Sequence, residues 1–225
     1  MPDRPEGRTT AIARGFCDAT AGPATLQARL DLLRLHRPGL RRVLDAGCGS
    51  GEFLAVLRHA GIEARGVDVD ADAVKAAAVT GCSVHRGDVG AILEAMAREG
   101  LRFDAVVLAH VVEHLDPDRA LGWFERIHAV LEPGGLLLVA TPDVRNHIVL
   151  SETFWLDPTH VRPYPSLLLE RMGAAVGLET VASLRDPTTR PRRPWWRRAF
   201  ARLRSALGGV DKSGPQDLVV VLRRR

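Results

Sequence analysis

The sequence is short of several things, and each shortage removes a class of protein. Cysteine occurs three times, at Cys17, Cys48 and Cys82, with no CxxC pair, so neither a zinc knuckle nor a disulfide framework is written into the chain. A soluble protein of the reducing cytoplasm is the expectation. No apolar run approaches the roughly 20 residues a membrane-spanning helix needs, and residues 1–20 lack the apolar stretch of a signal peptide. Lysine is confined to Lys75 and Lys212, which makes nearly all the positive charge arginine. That charge is uneven: residues 185–225 hold 12 Arg and Lys against 3 Asp, and the remainder holds 19 against 24 acids. Attraction to an anionic partner therefore belongs to the tail. Internal repeats and hairpin-type turns are also missing, which disfavours solenoids and antiparallel meanders.

What is present is an alternation of short apolar runs and helical patterns. After a stretch that reads as a disordered arm over residues 1–23, ATLQARLDLLRLH spaces its leucines as a covering helix. Then follow RVLDAG, EARGVDV, SVHRGD, FDAVVLAHV and GLLLVAT as strands, with helices between them. Such alternation predicts one α/β domain over 24–225, its mostly parallel sheet covered on both faces. After Thr141 the rhythm breaks into a Pro-rich loop at 151–165, a helix, a strand, a basic insert at 185–216 and the closing strand DLVVVLR.

VLDAGCGSGEF, Val43 to Phe53, is a buried strand entering a glycine turn and a helix. Gly47, Gly49 and Gly51 let backbone lie against a nucleotide-like ligand at the strand's carboxyl end. A dinucleotide fold calls for GxGxxG, but Glu52 stands where the third glycine belongs and sets a carboxylate near a pyrophosphate. That counts against NAD, the first rival reading.

The segment HVVEH, His110 to His114, matches the HxxEH pattern of certain zinc peptidases. Zinc would need both histidines on one helix face. Here FDAVVLA precedes them and Val111 and Val112 prolong a strand that then turns, while Asp116 and Pro117 begin the next helix. No metal site is assigned.

DAGCGSG together with a strand ending GVDVD resembles the class I S-adenosylmethionine-dependent methyltransferases, over about residues 40–182 and again at the last strand. The resemblance implies a Rossmann-like, doubly wound, seven-stranded sheet of order 3-2-1-4-5-7-6 with strand seven antiparallel. It also implies S-adenosylmethionine as cofactor. Asp45 and the backbone of Gly47, Cys48, Gly49 and Gly51 would hold its methionine part, Asp68 its ribose hydroxyls and Asp88 its adenine amino group, with Val69 and Val89 as walls. Asp88 also has an ordinary reading, as a helix N-cap.

In the same family a stretch like HVVEH ends strand four beside the methyl group, which puts His110 near the sulfonium and Glu113 and His114 at the acceptor. Relatives acting on ubiquinone precursors use acids and the histidine here for a divalent ion, whereas this chain has His110 in place of an acid. A histidine of ordinary pKa near ~6.5 is able to take a hydroxyl proton at neutral pH. The plainer reading is that Glu113 and His114 orient the loop.

FWLDPTHVRPY adds Trp155, His160, Arg162 and Tyr164 to one loop and resembles a segment of bacterial glycan-pathway methyltransferases. An aromatic face beside polar groups suits a sugar ring or other hydroxylated acceptor. His160 thus competes with His114 as base, against a plainer reading in which Asp157 caps a turn of a proline-stiffened lid. PWWRRAFARLRSALGG, residues 194–209, reads as a basic amphipathic helix, either covering the domain or giving peripheral contact with an anionic membrane.

The resulting expectation is methyl transfer, at oxygen, to a small-molecule or glycan acceptor, with no nucleic-acid target and no obligate protein partner. Rivals are the NAD enzyme, a nucleic-acid methyltransferase and a binding protein without turnover. Against the second, base amino-group methylases of this fold carry (N/D)PP(Y/F) where this chain has HVVEH.

Overall fold

The computed structural model describes residues 21–189 and 216–225. Most of the expected arm and all of the amphipathic stretch 194–209 lie outside the described residues.

Helix α1 (Pro23–His36) opens with proline in its first turn, where the missing N–H costs nothing, and buries Leu26, Leu30 and Leu33. The expected alternation follows as β1 (Arg42–Ala46), α2 (Glu52–His59), β2 (Glu63–Asp68), α3 (Ala71–Ala78), β3 (Ser83–Arg86), α4 (Val89–Arg98), β4 (Phe103–Ala109), α5 (Pro117–Val130) and β5 (Leu131–Pro142). Beyond it come α6 (His147–Ser151), α7 (Ser166–Ala175), β6 (Leu178–Arg185) and β7 (Asp217–Arg224). The sheet runs β3-β2-β1-β4-β5-β7-β6. Strands β1 to β5 pair in parallel and β7 lies antiparallel to both its neighbours, as expected.

Residues along a strand point alternately to the two faces, so a strand covered on both sides must be apolar throughout. Leu44, Val106, Leu108, Leu137 and Val139 enter a core with α4, α5 and α7. Val43, Ala105, Val107, Leu136 and Leu138 enter a second core with α1 and α2. Each fully buried side chain of this size is worth about 1.5–3 kcal/mol. The two cores fix the central strands, and with them one edge where the parallel strands end. Between β1 and β4 the winding reverses, opening the crevice at which ligands of such sheets bind.

Three local expectations need correction. The strand after α5 was expected to begin at GLLLVAT, but β5 starts at Leu131, because Leu131 pairs with Phe103 before the register slips. Val111 and Val112 do not prolong β4, which stops at Ala109; His110 adopts a left-handed φ of 57° and Val112–His114 form a 3-10 turn. The Pro-rich loop expected at 151–165 contains a second 3-10 turn, Thr153–Leu156, and is preceded by α6, which no expectation covered.

Candidate active site

The turn between β1 and α2 is built from backbone. Gly47 (φ 86°) and Gly49 (φ 51°) occupy the left-handed region, which glycine enters without cost. A Cβ on Gly47 would strike the Val111 side chain, so this turn lies directly against the segment after β4. A Cβ on Gly49 would meet nothing within 4 Å, leaving bare backbone toward open space. The amides of Gly47 and Cys48 donate to the Val67 carbonyl at 2.8 and 3.0 Å, and that of Gly49 donates to Oδ2 of Asp68 at 2.8 Å. Oδ1 of Asp68 accepts from the Asp70 amide at 2.9 Å. Each oxygen of Asp68 keeps a second lone pair for a ligand hydroxyl.

Asp45, 4% exposed, faces the α1 side of β1. Burial pushes its carboxyl up to about 7; Arg29 opposes the shift, while Asp68 and Glu52 reinforce it. Arg29 was missed in the sequence reading. It is buried in α1, and its Nε and Nη2 have no hydrogen-bond partner among the described residues. The signal was an arginine inside the stripe Leu26, Leu30, Leu33, where an apolar residue belongs.

Asp88 caps α4, with Oδ1 accepting from the Ala91 amide at 2.9 Å, and its Oδ2 pairs with Arg119. Val89, expected as a wall, is 5% exposed and packs into the core, whereas Val69 is 62% exposed at the end of β2. Cys48 is buried, and burial pushes its thiol up, making it an inert part of the turn.

After β4 the construction changes from backbone to side chains. His110 sits between two carboxylates, with Nδ1 3.3 Å from Oε1 of Glu113 and Nε2 3.3 Å from Oδ2 of Asp217 at the start of β7. Desolvation resists a charge there, but Asp217 and Glu113 outweigh it and lift the imidazole to about 10. His110 thus clamps the segment after β4 between Glu113 and Asp217, whatever part it takes in the chemistry. Its strained backbone is held by contacts at both ring nitrogens. Glu113 is fully buried; burial alone would raise its carboxyl, but His110 beside it holds it below the usual range. Its Oε2 accepts from the Thr141 hydroxyl at 3.0 Å.

His114 and His160 stand together, ring centroids 4.8 Å apart, although the sequence separates HVVEH from the Pro-rich loop. Nδ1 of His114 lies 2.9 Å from the Thr159 hydroxyl, and Nδ1 of His160 lies 2.6 Å from the Phe154 carbonyl. Ligand-type atoms of Glu113, His114 and His160 fall within 4.8 Å of one another, a spacing suited to a divalent ion. Oε1 of Glu113 also lies 3.3 Å from Nδ1 of His110. Tyr164 was expected to offer its phenol to the acceptor. It is fully buried instead, its hydroxyl donating to the Leu115 carbonyl at 2.9 Å. Trp155 remains 58% exposed with its indole N–H tied to the Leu150 carbonyl at 2.7 Å, and Leu156 and Val161 lie half exposed in the same lid.

A sheet ordered 3-2-1-4-5-7-6 with an antiparallel β7 is the architecture of class I S-adenosylmethionine-dependent methyltransferases. Bare backbone at Gly49 beside the carboxyls of Asp45 and Asp68 suits the cofactor of that class. Within it, the chain belongs to the family described as Methyltransferase domain, which matches residues 20–183.

Among curated proteins it is 34% identical over 106 residues to a protein of Chelativorans sp. (strain BNC1) named Ubiquinone biosynthesis O-methyltransferase, covering 44% of this chain and 40% of that protein. A Bradyrhizobium sp. (strain ORS 278) protein of the same name is 38% identical over 104 residues, 44% of this chain and 39% of the relative. The chain thus spans about two fifths of the length of these relatives. Among solved structures, an S-adenosylmethionine-dependent methyltransferase from Archaeoglobus fulgidus superposes with a TM-score of 0.73 at 24% identity, over 97% of this chain and all of that one. The 1,6-didemethyltoxoflavin-N1-methyltransferase of Burkholderia thailandensis gives 0.63 at 20% identity, over 99% and 93% of the two chains. No helix among the described residues is long and apolar enough to cross a membrane.

Proposed function

We propose that this protein methylates a hydroxyl group of a small-molecule or glycan acceptor, with His114 as the base. S-adenosylmethionine, when bound, supplies a methyl group already activated on a sulfonium. The work left to the chain is alignment and removal of one proton. Asp45 meets the ammonium of the methionine part, the backbone of Gly47 to Gly51 passes beside it, and Asp68 accepts from the ribose hydroxyls. Asp88, already capping α4, presents only its remaining lone pairs to the adenine edge. The lid, with Trp155 exposed over a framework of α6 and proline, covers the acceptor and excludes water.

The observation that carries this reading is the meeting of His114 with the lid at the carboxyl end of β4, beside the glycine turn. An oxygen acceptor is favoured because deprotonation is what a neutral imidazole offers, and the name shared by the curated relatives supports it. The basic amphipathic pattern of 194–209 suits either a helix covering the domain or peripheral contact with an anionic membrane, the second of which would fit a lipid-linked acceptor.

Two experiments test the proposal. Titration calorimetry should show binding of S-adenosylhomocysteine and none of NAD; preference for NAD ends the reading. Labelled methyl from S-adenosylmethionine should pass into an alkali-stable ether of a hydroxylated acceptor drawn from a cell extract. Label appearing only in RNA would replace it with the nucleic-acid alternative.

A further inference from the structure

The hydrogen bonds behind His114 bear on which of its nitrogens carries the proton. Oδ1 of Asp157, a residue only 7% exposed, receives two bonds from Thr159: the backbone amide at 2.8 Å and the hydroxyl at 2.6 Å. A carboxylate can only accept, and a hydroxyl has one hydrogen. That hydrogen is therefore committed to Asp157. The contact of 2.9 Å between the Thr159 oxygen and Nδ1 of His114 then requires the imidazole to donate. With the imidazole hydrogen on Nδ1, the ring's lone pair is on Nε2.

We infer that Thr159 and Asp157 are positioning residues, a carboxylate–hydroxyl–imidazole relay that holds His114 in the tautomer whose Nε2 can accept a proton. This rests on the reading of His114 as base. In the proton step, the acceptor O–H bond breaks, an N–H bond forms at Nε2 and the freed electron pair stays on the oxygen that takes the methyl group. The resulting imidazolium keeps its Nδ1–H on Thr159, and Asp157 steadies the charge through that hydroxyl without taking the proton. The logic is that of a buried acid orienting a catalytic histidine, with a threonine interposed. It also gives the DPTH run a purpose beyond a turn. Asp157 fixes the Thr159 rotamer through the adjacent amide, so the hydroxyl can neither rotate away nor donate to His114 without giving up a charge-assisted bond.

The test is 15N NMR of histidine-labelled full-length protein. His114 is assigned by difference against His114→Asn, and melting curves confirm that each variant is folded. The expected result is a pyrrole-type shift at Nδ1 and a pyridine-type shift at Nε2. Thr159→Ser should keep this pattern, and Thr159→Val should lose it toward the opposite tautomer or a mixture. Wild-type protein with its proton on Nε2 overturns the inference, as does Thr159→Val with unchanged shifts. The wild-type spectrum decides the tautomer even if the valine variant fails to fold. Failure of the base reading is distinguishable: His114→Asn would then retain methyl transfer whatever the tautomer.

Discussion

The two halves of the cleft are made of different material. At the ends of β1 and β2, backbone amides of two adjoining turns are satisfied by a carbonyl and one carboxylate of β2: Gly49 N–H on Asp68, Asp70 N–H on Asp68, Gly47 and Cys48 N–H on Val67. At the ends of β4 and β5, side chains from remote segments meet: His110 with Asp217, Glu113 with Thr141, His114 with Thr159. A backbone-built surface hardly changes when individual side chains do, and it suits a cofactor that never varies. A side-chain-built surface can be rewritten residue by residue, which is how one fold comes to serve many acceptors.

If the halves are separable, mutations should split cleanly into cofactor and acceptor effects. The largest effect is expected at His114. Removing a general base costs about 10²- to 10⁴-fold in rate, so His114→Asn should lower methyl transfer by that factor. Calorimetric affinity for S-adenosylhomocysteine should stay within about twofold of wild type, given that no cofactor contact is removed. Parallel loss of both would break the division. Next comes a contrast within the cofactor half. Asp68→Ala removes the acceptor of the Gly49 amide together with the ribose contacts proposed for it, two or more charge-assisted bonds, and should weaken S-adenosylhomocysteine about 100-fold or more. Asp88→Asn keeps an N-cap and should cost only a few-fold. Equal losses at the two positions would restore Asp88 to a full share of the cofactor site.

The same division governs what the sequence revealed. Asp45, the glycine turn and Asp68 were legible because each stands at the end of its own strand, where spacing marks it, and adjacent parallel strands bring the two turns together. Strand order followed from alternation plus the family resemblance. Asp88 bore two readings because a strand-end acid before a helix has the same sequence signature as a cap. The acceptor half was read less well. The clamp on His110 was not legible, because the Asp217 that faces it arrives on β7, from a distant part of the chain. Tyr164 looked available because nothing in its loop announces the Leu115 carbonyl that takes its hydroxyl. Thr159 drew no notice, since its worth depends on His114, which only the tertiary fold brings near. Arg29 was missed although it breaks an apolar stripe, because its closeness to Asp45 comes only from the packing of α1 on β1.

A third prediction concerns Asp45, whose carboxyl stands at about 7 because it is buried. A folded-state pKa above the unfolded value means the fold favours the protonated acid, so this group's contribution to stability declines as pH rises from about 4 through 7. Cofactor binding runs the other way: the ammonium of S-adenosylhomocysteine prefers the ionised carboxylate. Its affinity should rise about tenfold between pH 6 and pH 8 and then level off. Asp45→Asn should flatten that dependence. A wild-type affinity independent of pH would mean that Asp45 does not face the ammonium.

The smallest effect is the one that best fixes where the lid ends and the core begins. Tyr164→Phe deletes a hydroxyl whose hydrogen bond to the Leu115 carbonyl is buried, leaving that carbonyl unpaired. The cost should be about 1–3 kcal/mol, which for a domain of this size lowers the melting temperature by roughly 2–4 °C per kcal/mol. Methyl transfer measured well below that temperature should be unchanged in both kcat and KM, because the phenol holds the lid's root against the 3-10 turn and does not reach the acceptor. A fall in kcat with no change in melting temperature would return Tyr164 to the chemistry. The lid would then contribute reacting groups from both of its ends, and the acceptor half would extend to the start of α7.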